Sequence, residues 1–306
     1  MMRKWIPLYA AILALVIGSG GVLSAAEPST SKPNQVSGEA SQASDLERQA
    51  DLWIQTIAKQ NGFQDWLNAS VDITPIGPGQ HGWLVTLRGT GSVPVGYLII
   101  HAKEEGGFIL GEYGAGRHPA FDPNTLYTSM VHQGLIASYA EATKRPLKLE
   151  RLYVHPLLAV WKWTAPDGQV RYLDAWTAEE LPISESQWQQ AAKKLQVTSL
   201  ASGIALANSR ISTSRLNDIF DAYERMPWLT KKPIANMQTK LLVSLLDQKR
   251  QIRYTSELYD KQVLMVWPAI GYHRWDDQSL FVAFDQYGSR FVPMSAIESE
   301  GLFFNG

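Results

Sequence analysis

The densest group of side chains able to do chemistry is Tyr272-His273-Arg274-Trp275-Asp276-Asp277, in a chain of 306 residues. A histidine beside carboxylates can act as a general base, and loops carried on a rigid sheet are where such groups often sit. His273 with Asp276 or Asp277 is therefore the candidate for a hydrolytic site. The competing reading is a solvated loop between two strands whose Trp275 covers a sheet edge. Neighbours in sequence need not come within hydrogen-bond reach, and the loop is the preferred reading.

The other chemistry-bearing residues exclude more than they suggest. His81, His101, His118, His132, His155 and His273 show no pair at the helical or strand spacing of a metal site, so no metal and no cofactor is expected. Glycosidic hydrolysis needs two carboxyl groups facing each other across a sugar. The pairs Glu104-Glu105 and Glu179-Glu180 are adjacent in sequence, so on a strand they point to opposite faces and read as solvated surface. Gly77-Pro78-Gly79-Gln80-His81-Gly82 has the spacing of a dinucleotide fingerprint, but a strand, not a phosphate-binding helix, is expected after it. The absence of cysteine removes thiolate nucleophiles, thiolate zinc sites, iron–sulfur clusters and disulfides. The formal charge of −1 gives no whole-chain attraction for nucleic acid or an anionic membrane. Among the 11 tryptophans, Trp53, Trp161, Trp163 and Trp188 fall at core-facing or strand positions, and Trp228 and Trp275, the least clearly buried, are the candidate ligand-stacking residues.

Several elements must position these residues. Arg3 and Lys4, the uncharged stretch Trp5–Ala26 and the small residues Ser24-Ala25-Ala26 have the order of a secretory leader, expected to be cut after Ala26 or kept as an anchor. Residues 27–43 are rich in Ser, Pro, Gln and Ala and read as a flexible spacer. Ser44 and Glu47 form a capping box for a helix carrying Leu46, Ala50, Trp53, Ile54 and Ile57, with Gly62 placed to end it. The period then changes to two. Val71–Ile76, Trp83–Arg88, Val95–His101 and Phe108–Glu112 are expected to form an antiparallel meander. Asp122 and Pro123 open a helix expected to run past Tyr139 to Lys144. Leu147–Val154, Leu158–Thr164 and Val170–Leu173 are strands, with Asp167-Gly168 turning between the last two, and Ser184 with Gln187 caps a further helix.

Residues 197–214, poor in large side chains and rich in Ser, Ala and Asn, are the expected boundary, with 201–204 dividing an α+β domain at 44–200 from a smaller one at 205–306. In the second part Leu216–Tyr223 suggests a short helix and Pro233 opens a longer one through Leu246. Val263–Val266, Leu280–Phe284 and Ser289–Val292 read as strands, with a turn at Asp285–Gly288, and Ser295 with Glu298 as a last capping box. The fold class is α+β, with antiparallel sheets and packed helices in two subdomains.

Gly96-Tyr97-Leu98-Ile99-Ile100, a short hairpin, then Ile109-Leu110-Gly111-Glu112-Tyr113-Gly114 resembles the propeptide and inhibitor modules of secreted papain-like peptidases of the streptopain type, within the wider group of PepSY-like α+β modules. The second half faintly resembles the peptidase half of such proteins, whose activity needs a thiolate that this chain lacks. The resemblance thus implies a non-catalytic or inhibitor-like relative. The expectation is an exported protein, secreted or tethered at the outer face of the cytoplasmic membrane. It would bind a protein, a peptide or a cell-wall component, with no nucleic-acid partner and membrane contact through the N-terminal segment alone. The extracytoplasmic hydrolase centred on His273 is the alternative. No oligomeric state follows from the composition.

Overall fold

A computed structural model describes residues 34–77, 81–144, 146–200, 209–276 and 279–306. The expected leader, and Asp277 of the histidine cluster, lie outside the described residues.

The first helix, α1 (Asn34–Ile57), starts ten residues before the expected capping box, so Ser44 and Glu47 lie inside it and residues 34–43 are helical rather than spacer. Its stripe of Leu46, Ala50, Trp53, Ile54 and Ile57 is buried. Gly62, at φ +86°, turns the chain toward the sheet.

The expected meander is present as β1 (Ser70–Ile76), β2 (Gly82–Arg88), β3 (Pro94–Ala102) and β4 (Phe108–Ala115), each antiparallel to the next. These strands are apolar at successive positions because both faces are covered. Leu98 and Ile100 pack on the α1 side, while Tyr97 and Ile99 pack on the opposite side. Helix α2 (Pro123–His132) begins as expected, with Asp122 accepting from Thr125 N at 3.0 Å. It stops early: Gly134, at φ +70°, breaks the path, and α3 (Tyr139–Lys144) is a separate short helix on which Tyr139 is exposed.

A second sheet contains β5 (Lys148–His155), β6 (Leu158–Thr164), β7 (Val170–Asp174) and β8 (Glu180–Leu181) in that order. Helix α4 (Glu185–Leu200) follows, capped reciprocally as the sequence suggests: Ser184 N donates to Gln187 Oε1 and Gln187 N to Ser184 Oγ.

The remaining elements are β9 (Ile211–Leu216), α5 (Pro227–Thr230), α6 (Thr239–Asp247), β10 (Ile252–Leu258), β11 (Val263–Trp275), β12 (Leu280–Asp285), β13 (Ser289–Pro293), α7 (Met294–Ile297) and β14 (Leu302–Asn305). Three expectations are corrected here. Residues 216–223 are not a helix: Leu216 ends β9, and 217–223 continue as irregular chain held by its own turns. The longer helix begins at Thr239 instead of Pro233: Asn236, at φ +49°, is left-handed and interrupts a helical path from Pro233. The last box does not cap: α7 starts after Pro293, and Glu298 sits at its C-terminal end.

Strand pairing ignores the boundary expected near 201–204. β4 pairs with β13, joining β1–β4 and β9–β14 into one ten-stranded antiparallel sheet. β11 is its organising strand. One edge carries β10 along Val263–Ala269 and β9 along Gly271–Trp275; the other carries β12 from Ala269 onward.

Candidate functional site

Tyr272–Trp275 of the sequence cluster are not a loop. They end β11 and are paired on both edges, with Asp276 in the turn that follows. His273 is fully buried, its ring stacked 4.0 Å from that of Phe291, and its Nδ1 lies 2.8 Å from the Tyr113 hydroxyl. Its Nε2 has no hydrogen-bond partner among the described residues. Burial pushes its pKa down to about 3, so the ring is neutral near pH 7. Asp276 is exposed at the strand end, where its Oδ1 accepts from Arg210 N at 3.0 Å. His273 and Asp276 are not brought together; among the described residues no carboxylate orients the buried ring, which packs as a core residue. Trp275 is also fully buried, against Tyr113 and Phe281. Trp228 is half-buried and meets Tyr223 edge-on, with ring centroids 5.7 Å apart.

The polar centre of the molecule is elsewhere, and sequence reasoning missed it. Glu112 on β4 is completely buried. It accepts from Tyr97 OH at 2.7 Å and Tyr153 OH at 2.6 Å, and from Arg290 Nε at 3.2 Å and Nη2 at 2.8 Å. Arg290 on β13 also donates to the Pro156 carbonyl at 2.6 Å and to Gln286 Oε1 at 2.7 Å. Its guanidinium carbon lies 3.6 Å from the ring centroid of Trp176 and 4.7 Å from that of Trp267. Burial by itself would lower the arginine pKa; the Glu112 carboxylate reverses this and holds it above its ordinary value. Burial, then the same carboxylate, pushes Tyr97 and Tyr153 well above the usual phenol range. Such a pair is stable only because nearly every lone pair and proton has a partner. Gly114, opposite Tyr97 in the ladder, makes room for it: a Cβ there would stand 2.6 Å from the tyrosine ring. A lone carboxylate inside the apolar strand Phe108–Ala115 is the signal that could have flagged Glu112. Nothing in the sequence points from it to Arg290, 178 residues away.

Arg290 is the floor of a cleft of about 620 Å³. One wall is Val263–Pro268, the first half of β11. The β12–β13 turn contributes Asp285, Gln286 and Tyr287. The β7–β8 link adds Asp174, Trp176, Thr177 and Glu179, and the irregular segment after β9 adds Ile219–Tyr223. The positions of these acids follow from local turns. Asp174 Oδ1 accepts from Trp176 N and Thr177 N, and Asp221 Oδ1 accepts from Tyr223 N. Burial raises the pKa of Asp285. It also raises that of Tyr287, helped by Glu179 and Asp174. Neither Trp228 nor Trp275 lines this cleft.

No family model, curated protein or solved structure matches the chain. Among the described residues no cluster of His, Asp and Glu has the arrangement of a metal site. The described helices include none long and apolar enough to cross a membrane. The cleft, bordered by four acidic side chains, aromatic rings and the backbone of β11, is the candidate functional site.

Proposed function

We propose that this is an exported, non-catalytic binding protein, acting at the outer face of the cytoplasmic membrane, whose ligand occupies the cleft above Arg290. One observation carries the reading: Ile219, Tyr223, Leu264 and Tyr287 are large apolar side chains left exposed, and all four border that cleft. Exposed apolar groups gathered around one concavity, with aromatic anchors among them, are what a recognition surface requires. The network of Glu112 and Arg290 gives the cleft a rigid floor. The export assignment is supported by Arg3 and Lys4, the uncharged Trp5–Ala26 and the small residues that end it. The β3–β4 hairpin, with its glycines at 96, 111 and 114, supports kinship with PepSY-like or inhibitor-type modules as a second reading.

The test is site-specific photocrosslinking in exporting cells. A photoreactive phenylalanine in place of Tyr287, which keeps an aromatic ring there, should give a discrete adduct that Tyr223→Ala removes, and the same group at the exposed Leu67 should give none. Equal labelling at Tyr287 and Leu67, or none at Tyr287, overturns the binding role. N-terminal sequencing of the exported chain should begin at Glu27 if the leader is removed; full-length protein confined to the cytosol overturns the address.

A further inference from the structure

We propose that the ligand is an extended, positively charged peptide segment that adds as a strand to the open edge of β11 along Val263–Pro268. This rests on the cleft being the binding site.

The edge is established by the ladder. β10 pairs with Val263–Ala269 on one side, whereas β12 reaches Ala269 on the other, and among the described residues no strand pairs with that edge along Val263–Pro268. The six residues Val263–Pro268 all line the cleft. Side chains alternate between the faces of a strand, so a face would contribute every second residue, and an unbroken run means that the edge itself looks into the cleft. Pro268 lies opposite Arg253 and has no N–H, which fits a pair that exchanges no hydrogen bonds. The alternation of an antiparallel ladder then turns the N–H and C=O groups of Leu264 and Val266 to the open side. Those groups are a template for an incoming strand.

Charge selects which strand. The acidic lining residues are Asp174, Glu179, Asp221 and Asp285, and the basic one, Arg290, is engaged by Glu112. A segment bearing lysine or arginine would be drawn in, and the exposed Tyr223 and Tyr287 rings at the rim offer faces for those cations. A second copy of this chain is a poor occupant, because edge-to-edge pairing would set the same acids against each other.

The experiment uses the purified full chain and a fluorescent, capped six-residue peptide that alternates valine with lysine or arginine, followed by anisotropy. Saturable binding in the micromolar range is expected. Binding should weaken at least tenfold when the basic residues are replaced by glutamate, when alternate peptide nitrogens are methylated, or when Asp221→Asn and Asp285→Asn are combined. Leu264→Pro, which removes an N–H from the open edge and leaves the bonds to β10, should weaken binding to a similar degree with an unchanged circular dichroism spectrum. Equal affinity for the acidic peptide overturns the charge selection, and equal affinity for the methylated peptide overturns strand addition. Displacement of the peptide by an oligosaccharide, or a dimer in light scattering that the peptide does not dissociate, assigns the cleft to another occupant. If no peptide binds while the Tyr287 crosslink persists, the peptide inference falls and the binding cleft stands.

Discussion

The two halves of β11 form a natural comparison. From Ala269 to Trp275 the strand is paired on both edges and its side chains are sealed in aromatic packing. From Val263 to Pro268 it is paired on one edge, and the other borders the cleft. The half with the more suggestive residues, His273 and Trp275, is sealed from solvent. The half that reads as an ordinary apolar strand borders the cleft, exposed at Leu264, half-buried at Val263 and Met265, and buried from Val266 to Pro268. Residue type proposes chemistry, but the pairing of the strand's edges decides whether a partner can reach it.

Four measurements test this contrast. The largest effect is acid lability of the sealed regions. Burial lowers the pKa of His101 and His155 to about 4 and that of His273 to about 3. The unfolded chain binds these protons from about pH 6.5 downward, while the folded chain refuses them until about pH 4 at His101 and His155 and about pH 3 at His273. Stability is therefore at its full value above pH 6.5 and is lost as pH falls toward these values, by about 3 kcal/mol each for His101 and His155 and about 5 kcal/mol for His273 at the limit. Urea midpoints measured from pH 7.5 to 4.5 should fall continuously; a level profile would show that water reaches these rings.

Next is the support shared by both halves. Glu112→Ala strands the Arg290 guanidinium without its carboxylate and should cost about 3–5 kcal/mol in denaturant unfolding. A loss below 1 kcal/mol would mean that the pair is solvated. His273→Ala in the sealed half removes a stacked ring and leaves the Tyr113 hydroxyl without its nitrogen partner, at about 2–3 kcal/mol. Crosslinking from Tyr287 should persist in this variant, and its loss would tie His273 to the site. The smallest effect on stability belongs to the open half. Tyr287→Ala should change stability by less than about 0.5 kcal/mol, checked by thermal unfolding, yet it should remove most of the binding by the cleft.

The sequence alone was a good guide wherever structure is decided by near neighbours. The Asp122 cap, the box of Ser184 with Gln187, the Asp167-Gly168 turn and the meander from β1 to β4 all stand where spacing puts them. It failed where a distant segment overrides local preference. The start of α1 lies before its box, and the expected helix at 216–223 gives way to chain that lines the cleft. β10 and β14 escaped notice because their pairing with each other and with β11 is what makes them strands. In the candidate site, Trp176, Trp267 and Arg290 carry no local signal at all. Their relation exists in three dimensions, where one guanidinium lies against both rings.

What the amino-acid order determined by itself is therefore the class: an α+β chain with antiparallel strands, no thiol chemistry and a composition able to build a core. What the tertiary structure decided is which polar groups are sealed and which edge is left open. Caps, turns and side-chain periods depend on residues within one or two turns of chain, so they can be read in order. The ion pair of Glu112 with Arg290 and the edge of β11 left without a partner strand among the described residues depend on which distant strands pair, and that is fixed only when the whole sheet has closed around them.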